Sequence, residues 1–271
     1  MKKFKIAILG AGNIGTALAR GLIASKQFTI DEILMAEIRG PRIDQLRKAG
    51  FNVISKSLEA LRLADMVVMS VKPQHFATLA GEIKDGITAG HTLFSTITGV
   101  TFSEIETFTG KVPMVRIMPN IALEICESMT CISFKNLSSK HEESALSLFN
   151  KMGKTLVIPE EMMGAATVAG ACGIAFVLRF MRALTQGGIE IGFDAEMAQF
   201  ITAQTVKGAA RLIIETSNHP EMEIDKVTTP QGITISGLNE MEHQGLSSAV
   251  IRGLVTSFNK LENLAAKVPG K

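Results

Sequence analysis

The sequence predicts an α/β doubly wound parallel sheet in its first half and an all-α region in its second. Three observations carry this expectation. The chain opens on a short apolar run that ends in glycines at 10, 12 and 15 (Lys5 to Gly15, KIAILGAGNIG). Strand-like and helix-like patterns then alternate as far as Ile158. Past Pro159 the strand pattern stops and long helical patterns replace it.

The opening run reads as a buried strand passing through a tight turn into an amphipathic helix, Thr16 to Ser25. In such a turn each glycine has its own task. Gly10 makes the turn, Gly12 lets a pyrophosphate approach the backbone, and Gly15 lets helix and strand pack closely, which is the Rossmann-type dinucleotide fingerprint. A phosphate there meets unpaired N–H groups at the positive end of a helix dipole. A strand at Glu32 to Glu37, a helix near Pro41 to Ala49, a short strand near Asn52 and a helix near Leu58 to Leu63 follow. Met66 to Val71 is apolar except for Ser70, as a strand buried on both faces should be. The alternation continues with a helix near Phe76 to Ile83, strands at Thr92 to Thr96 and Pro113 to Ile117, and a helix at Phe102 to Phe108 between them. The run MTCISF from Met129, a helix at Lys140 to Lys151 and a strand at Thr155 to Ile158 extend the same parallel sheet. The expected domains are therefore 1–158 and 159–271.

The second half shows helical patterns at Ala171 to Leu184, Ala195 to Thr216 and Ser247 to Ala265. Breaks are expected at Gly187-Gly188, at Gly192, around Asn218-His219-Pro220 and at Pro230-Gln231-Gly232. These helices are too long and too apolar for isolated surface helices, and a second subunit would supply the surface they need. Composition narrows the function classes. A net charge of +2 gives no general electrostatic case for nucleic acid or an acidic surface. Three cysteines, at 126, 131 and 172, lack metal spacing and suit a reducing, cytoplasmic setting. The uncharged segment Met162 to Leu178 is shorter than the roughly 20 residues a membrane span needs, so no membrane is expected. No pair among the five histidines has metal spacing, and no metal is expected.

Several positions can carry chemistry. Glu37 ends the second strand, where a carboxylate can accept from ribose hydroxyls and would repel a 2′-phosphate, favouring NAD. Arg39 and Arg42 could instead clamp a 2′-phosphate, favouring NADP, and on the residues alone the preference stays open. Val71-Lys72-Pro73, Thr98-Gly99 and Met118-Pro119-Asn120 close three successive strands on the carboxyl edge of the sheet, where a cofactor cleft forms in this architecture. The turn Pro230-Gln231-Gly232-Ile233-Thr234 opens a helix. Its N–H groups and hydroxyl suit an anion such as a carboxylate, and ordinary N-capping by Thr229 or Thr234 explains it equally well.

Taken together, ILGAGNIG, SVKPQ (Ser70 to Gln74), STITGV (Ser95 to Val100), RIMPN (Arg116 to Asn120), ETSNHPEMEIDKV and TTPQGITISGL resemble the pyrroline-5-carboxylate reductase family over nearly the whole chain. The resemblance implies a dinucleotide-binding domain followed by a helical dimerisation and substrate domain, a layout of the 6-phosphogluconate dehydrogenase-like kind. It also implies a homodimer or an assembly of dimers, and hydride transfer from NADPH or NADH to a cyclic imine bearing a carboxylate. By the same resemblance the backbone of Ala11, Gly12, Asn13 and Ile14 binds the pyrophosphate, and Gly10 and Gly15 complete the cofactor-binding turn. Lys72, Pro73, Thr98 and Gly99 flank the ribose and nicotinamide, and Val71 and Asn120, at the same strand ends, join them as cofactor-binding candidates. The Ile233 N–H and Thr234 take the substrate carboxylate, with Gly232 beside them in the substrate site and Thr234 in the catalytic position, and Glu160 falls near the substrate.

The chain departs from the family where relatives read Ser-Gly-Ser-Gly-Pro-Ala-Tyr and it reads Gly170 to Phe176 (GACGIAF). It departs again at Asn120-Ile121-Ala122 and at Gln231-Gly232. These segments are expected around the reacting ring, so a different or bulkier imine is an alternative substrate. A cyclic imine is basic enough to arrive partly protonated near neutral pH, so positioning dominates catalysis and a strong acid/base constellation is not required. Tyrosine and tryptophan are absent from the chain, which excludes a phenol relay. A β-hydroxyacid dehydrogenase shares the layout but needs a base, and Arg179 and Arg182 on the corresponding helix stay protonated. A non-catalytic dinucleotide-binding sensor is the other alternative.

Overall fold

The computed structural model describes residues 4–265. It divides into two compact units, one built from the chain up to Cys172 together with the stretch from Phe258, the other from Gly173–Ser257.

The first unit is organised on an eight-stranded sheet. Its strands are β1 (Phe4–Leu9), β2 (Ile33–Ala36), β3 (Asn52–Ile54), β4 (Ala64–Met69), β5 (Thr92–Ser95), β6 (Met114–Met118), β7 (Ser128–Lys135) and β8 (Gly153–Val157), in the order β3-β2-β1-β4-β5-β6-β7-β8. The crossovers are α1 (Asn13–Ala24), α2 (Gly40–Lys48), α3 (Ser57–Leu61), α4 (Phe76–Ile83) and α5 (Phe102–Thr109), and α6 (Ser139–Asn150) joins β7 to β8. Helices cover both faces, so the strands bury residues of both parities. Ile6 and Ile8 belong to one core with Leu18, Leu22, Val68, Val115 and Phe149. Ala7 and Leu9 belong to the other, with Leu61, Val67, Leu79, Leu93 and Ile105.

One expectation is corrected. The strands through β6 run parallel, but β7 pairs antiparallel with β6, with Arg116 opposite Ser133 and Met118 opposite Cys131. The physical reason is the connection, residues 119–127, which is shorter than the dozen or so a parallel crossover takes. β8 then pairs parallel with β7. β8 ends at Val157, level with Ile132 and so with Ile117 near the end of β6. The chain continues through α7 (Met163–Ala166) and a π-helical stretch, Thr167–Cys172. Met163 packs there against Met118 and Cys131.

The second unit contains α8 (Gly173–Glu190), α9 (Ala195–Thr216), α10 (Pro220–Asp225), α11 (Ile233–His243) and the first part of α12 (Leu246–Ala265). The expected break at Gly187-Gly188 does not occur: α8 continues to Glu190 and stops before Gly192, whose φ is +115°. Gly188 has a packing reason. A Cβ there would lie 3.2 Å from that of Ala198, so the missing side chain lets α8 approach α9 closely. The run Glu160–Glu190 is longer than the segment read from the sequence, and by length and composition it is sufficient to cross a membrane.

Candidate functional site

The strand order reverses between β1 and β4, and the carboxyl edge at such a reversal is where ligands bind in open α/β sheets. The glycine turn lies there. Gly10 has φ +102°, and a Cβ on it would sit 2.4 Å from the Ser70 carbonyl oxygen and 2.9 Å from Val71 Cγ1, so the turn presses against the end of β4. A Cβ on Gly15 would lie 2.3 Å from the Gly10 carbonyl oxygen and 3.1 Å from Ile8 Cγ2. Gly12 differs: a Cβ there meets nothing within 4 Å. Gly12 is also the N-cap of α1, with no side chain capping it, and the first N–H groups of a helix lack intrahelical acceptors. Asn13 is exposed, Ile14 half-buried and Ala11 buried. Open backbone, helix N-terminus and a space where a side chain would go fit a pyrophosphate.

Arg42 braces this loop from α2. Its Nε donates to the Ala11 carbonyl (3.1 Å) and its Nη2 to Thr16 Oγ1 (2.8 Å). Glu37, just past β2, is 6% exposed. Its Oε1 accepts from the backbone N–H groups of Ile38 (2.9 Å) and Arg39 (3.0 Å) and from Arg39 Nε (3.0 Å), and its Oε2 accepts from Arg39 Nη2 (2.8 Å). Burial works against ionisation of this carboxyl, but the Arg39 guanidinium and the two backbone donors outweigh it and hold Glu37 below the usual carboxylate range. The sequence placed Glu37 and Arg39 in opposing roles; the structure joins them in one ion pair, with the guanidinium largely exposed.

The next strand ends gather on the same edge. Lys72 is exposed beside half-buried Pro73, which opens a 3₁₀ turn, and His75 in that turn is exposed. Thr96 ties the loop after β5 to the end of β4: its N–H donates to the Met69 carbonyl (3.0 Å) and its Oγ1 to Ser70 Oγ (3.1 Å). Thr98 and Gly99 are half-buried, and Gly99 has φ +75°. Asn120 is buried. Its Oδ1 accepts from the Ala122 N–H (3.0 Å) and its Nδ2 donates to the Gly170 carbonyl (3.3 Å) in the π-helical stretch. Glu160 is taken up by Arg116 Nη1 (2.7 Å) and the Phe102 N–H (2.6 Å). Sequence reasoning missed the Arg42 brace, the Asn120–Gly170 contact and the buried Arg116. The signal for the last was one arginine inside an otherwise apolar strand.

In the helical unit α11 starts at Ile233 with Gly232 as N-cap, and no side chain caps it. This corrects the capping alternative for Thr229 and Thr234. Gln231 has φ +58°, the Gly232 N–H closes a turn on the Thr229 carbonyl (2.9 Å), Ile233 is 93% exposed and Thr234 is exposed. Among the described residues no three His, Cys, Asp or Glu side chains gather as a metal site.

Residues 160–264 match the family model for pyrroline-5-carboxylate reductase dimerisation, and residues 5–99 match the model for NADP oxidoreductase, coenzyme F420-dependent. Pyrroline-5-carboxylate reductase 2 of Dictyostelium discoideum is 41% identical over 94% of this chain and 91% of its own length. The chain belongs to the pyrroline-5-carboxylate reductase family. Pyrroline-5-carboxylate reductase 1 of the same organism is 44% identical over 96% of this chain, which spans about half (49%) of that relative's length. Among solved structures, the 1-pyrroline-5-carboxylate reductase of Streptococcus pyogenes aligns with a TM-score of 0.86 at 25% identity, over 96% of this chain and 99% of that one. The pyrroline carboxylate reductase of Plasmodium falciparum with NADP bound shares the fold, with a TM-score of 0.89 at 24% identity over 98% and 99% of the two chains. The dimerisation match accounts for the long apolar run from Glu160: this part of the reductase chain is an oligomerisation region. The GACGIAF departure falls at the passage from the π-helical stretch into α8.

Proposed function

We propose that this chain is an NAD(P)H-dependent reductase of a carboxylated cyclic imine, converting 1-pyrroline-5-carboxylate to proline. Family membership over nearly the full chain is the observation that carries the reading. A bound NADPH or NADH supplies a hydride from C4 of its nicotinamide to the imine carbon. The turn Gly10 to Gly15 receives the pyrophosphate at the open face of Gly12, with Arg42 holding the loop in shape. The Glu37–Arg39 pair faces the adenosine ribose. Val71, Lys72, Pro73, Thr98, Gly99 and Asn120 form the nicotinamide side. The N–H of Ile233 and the hydroxyl of Thr234, at an α11 start that no side chain caps, receive the substrate carboxylate. The dinucleotide domain comprises 1–158. The helical domain, 159–271, forms a homodimer or an assembly of dimers in the cytoplasm, a setting that suits three free thiols.

The test is turnover with both cofactors against a panel of cyclic imines with and without a carboxylate. Reduction of the five-membered carboxylated imine supports the reading. A protein that binds NADPH or NADH and reduces none of them is a sensor and not a reductase.

A further inference from the structure

The resemblance places Glu160 near the substrate, yet its carboxylate is committed elsewhere. Oε1 accepts from the Phe102 N–H at 2.6 Å and from Arg116 Nη1 at 2.7 Å. Phe102 is the first residue of α5, and its N–H is one of the donors a helix cannot satisfy from within. The donor two residues on is satisfied locally: Thr101 Oγ1 accepts from the Glu104 N–H (3.2 Å) while Glu104 Oε2 accepts from the Thr101 N–H (2.6 Å). The first turn of α5 is thus fastened by its own capping box and by a carboxylate 58 residues away.

Arg116 makes this attachment specific. It is 5% exposed in the middle of β6, on the face that α5 covers, and its guanidinium lies 6.0 Å from the Phe102 ring centre. A guanidinium remains charged in any protein environment, so a buried one needs an anion, and Glu160 is the partner it has. Neighbouring Glu161 is exposed. The loop from Ile97 to Val100 is consequently held at both ends. Thr96 ties its start to the end of β4 at Ser70, and Glu160 ties its finish to β6 through Phe102.

We propose that Glu160 is a positioning residue for the Thr98-Gly99 loop, and through it for the nicotinamide half of the cofactor, and that it makes no contact with the imine. This rests on the reductase reading above. Loss of the carboxylate frees the first turn of α5 and leaves Arg116 without its anion, so the loop that flanks the nicotinamide shifts while the glycine turn at β1 does not.

The experiment is calorimetric titration of the full-length protein with NADPH and with ADP-ribose, which lacks the nicotinamide, for wild type, Glu160→Ala, Glu160→Gln and Glu161→Ala. A hydrogen bond lost between the displaced loop and the nicotinamide half of the cofactor is worth up to about 10-fold in affinity. The expected result is that loss in NADPH affinity for Glu160→Ala, a smaller loss for Glu160→Gln, and unchanged ADP-ribose affinity in both. Glu161→Ala should match wild type. At saturating NADPH the KM for the imine should stay within about twofold of wild type, since hydride transfer and not imine binding is disturbed. Unchanged NADPH affinity with a raised imine KM overturns the proposal in favour of substrate contact. Equal loss of NADPH and ADP-ribose overturns it in favour of general destabilisation. Should Glu160→Ala not fold, the same comparison is decided on Glu160→Gln. A wild-type protein that binds neither ligand overturns the reductase reading and this proposal with it.

Discussion

β1 buries Ile6, Ala7, Ile8 and Leu9 completely, two on each face of the sheet, whereas α9 leaves Phe200, Ile201, Leu212 and Ile214 largely in solvent, and α8 has no buried residue at all. The difference lies in where each region finds its partner surface. The sheet obtains it from its own crossover helices, and the helical unit's apolar faces are written for another chain. Substitutions should therefore act on folding and cofactor binding in the first region and on assembly in the second.

The largest effect expected is in the glycine turn. Gly12→Val should leave a folded protein, since nothing lies within 4 Å of the new Cβ, yet weaken NADPH binding by about 3 kcal/mol or more by excluding the pyrophosphate from charge-assisted hydrogen bonds. Gly15→Ala should instead cost about 1–3 kcal/mol of stability, because its Cβ meets the Gly10 carbonyl. Thermal melting and calorimetry on both variants separate the two outcomes. Unchanged cofactor affinity in folded Gly12→Val would remove the turn from the site.

Next comes assembly. Phe200 is 73% exposed, and Phe200→Glu should raise the subunit dissociation constant by roughly 30-fold or more, the scale of a hot-spot loss, with little change in NADPH affinity. Light scattering across a concentration series reads it. A wild-type chain that is monomeric at micromolar concentration would break the comparison outright.

A third test sits in the helical unit but reads chemistry. Thr234→Val should lower kcat/KM for a carboxylated imine by about 10- to 150-fold, the value of a hydrogen bond to a charged group, and hardly touch an imine without the carboxylate. Equal impairment of both imines would end the carboxylate role.

The smallest effect returns to the sheet. The Glu37 carboxyl is held below its ordinary value of 4.5, so it contributes stability that is fully present above pH 4.5 and is lost as pH falls through the lowered value. Glu37→Gln should therefore be less stable than wild type near neutrality by about 1 kcal/mol, and the gap should close in acid. Denaturant titrations at pH 3 and pH 7 measure it; a gap that widened in acid would contradict the pairing with Arg39.

Much of the sheet is visible in the sequence because period, turn glycines and strand-ending prolines are local signals. The glycine turn is the clearest case: Gly10 and Gly15 answer to backbone approaches and Gly12 to an open space, so one motif records three constraints. Strand direction is not local, and only the short 119–127 connection hints that β7 runs backwards. Gly187-Gly188 looked like a break because the sequence shows glycine's cost but not the close helix contact that repays it. The pairing of Glu160 with Arg116 spans 44 residues, and neither position carries a mark of its partner.

Arg42 braces the glycine turn, and that would confound any redesign of cofactor preference that touched it. Deleting its side chain removes the donors that fix the Ala11 carbonyl and the Thr16 hydroxyl, so the glycine turn loosens whatever else the change does. The Arg39 side chain bonds instead to Glu37, and among the described residues it makes no hydrogen bond to the loop. If the 37–39 pair faces the ribose as proposed, exchanging it as a unit alters specificity without touching the brace, and residue 42 belongs to the scaffold on which such an exchange would be built.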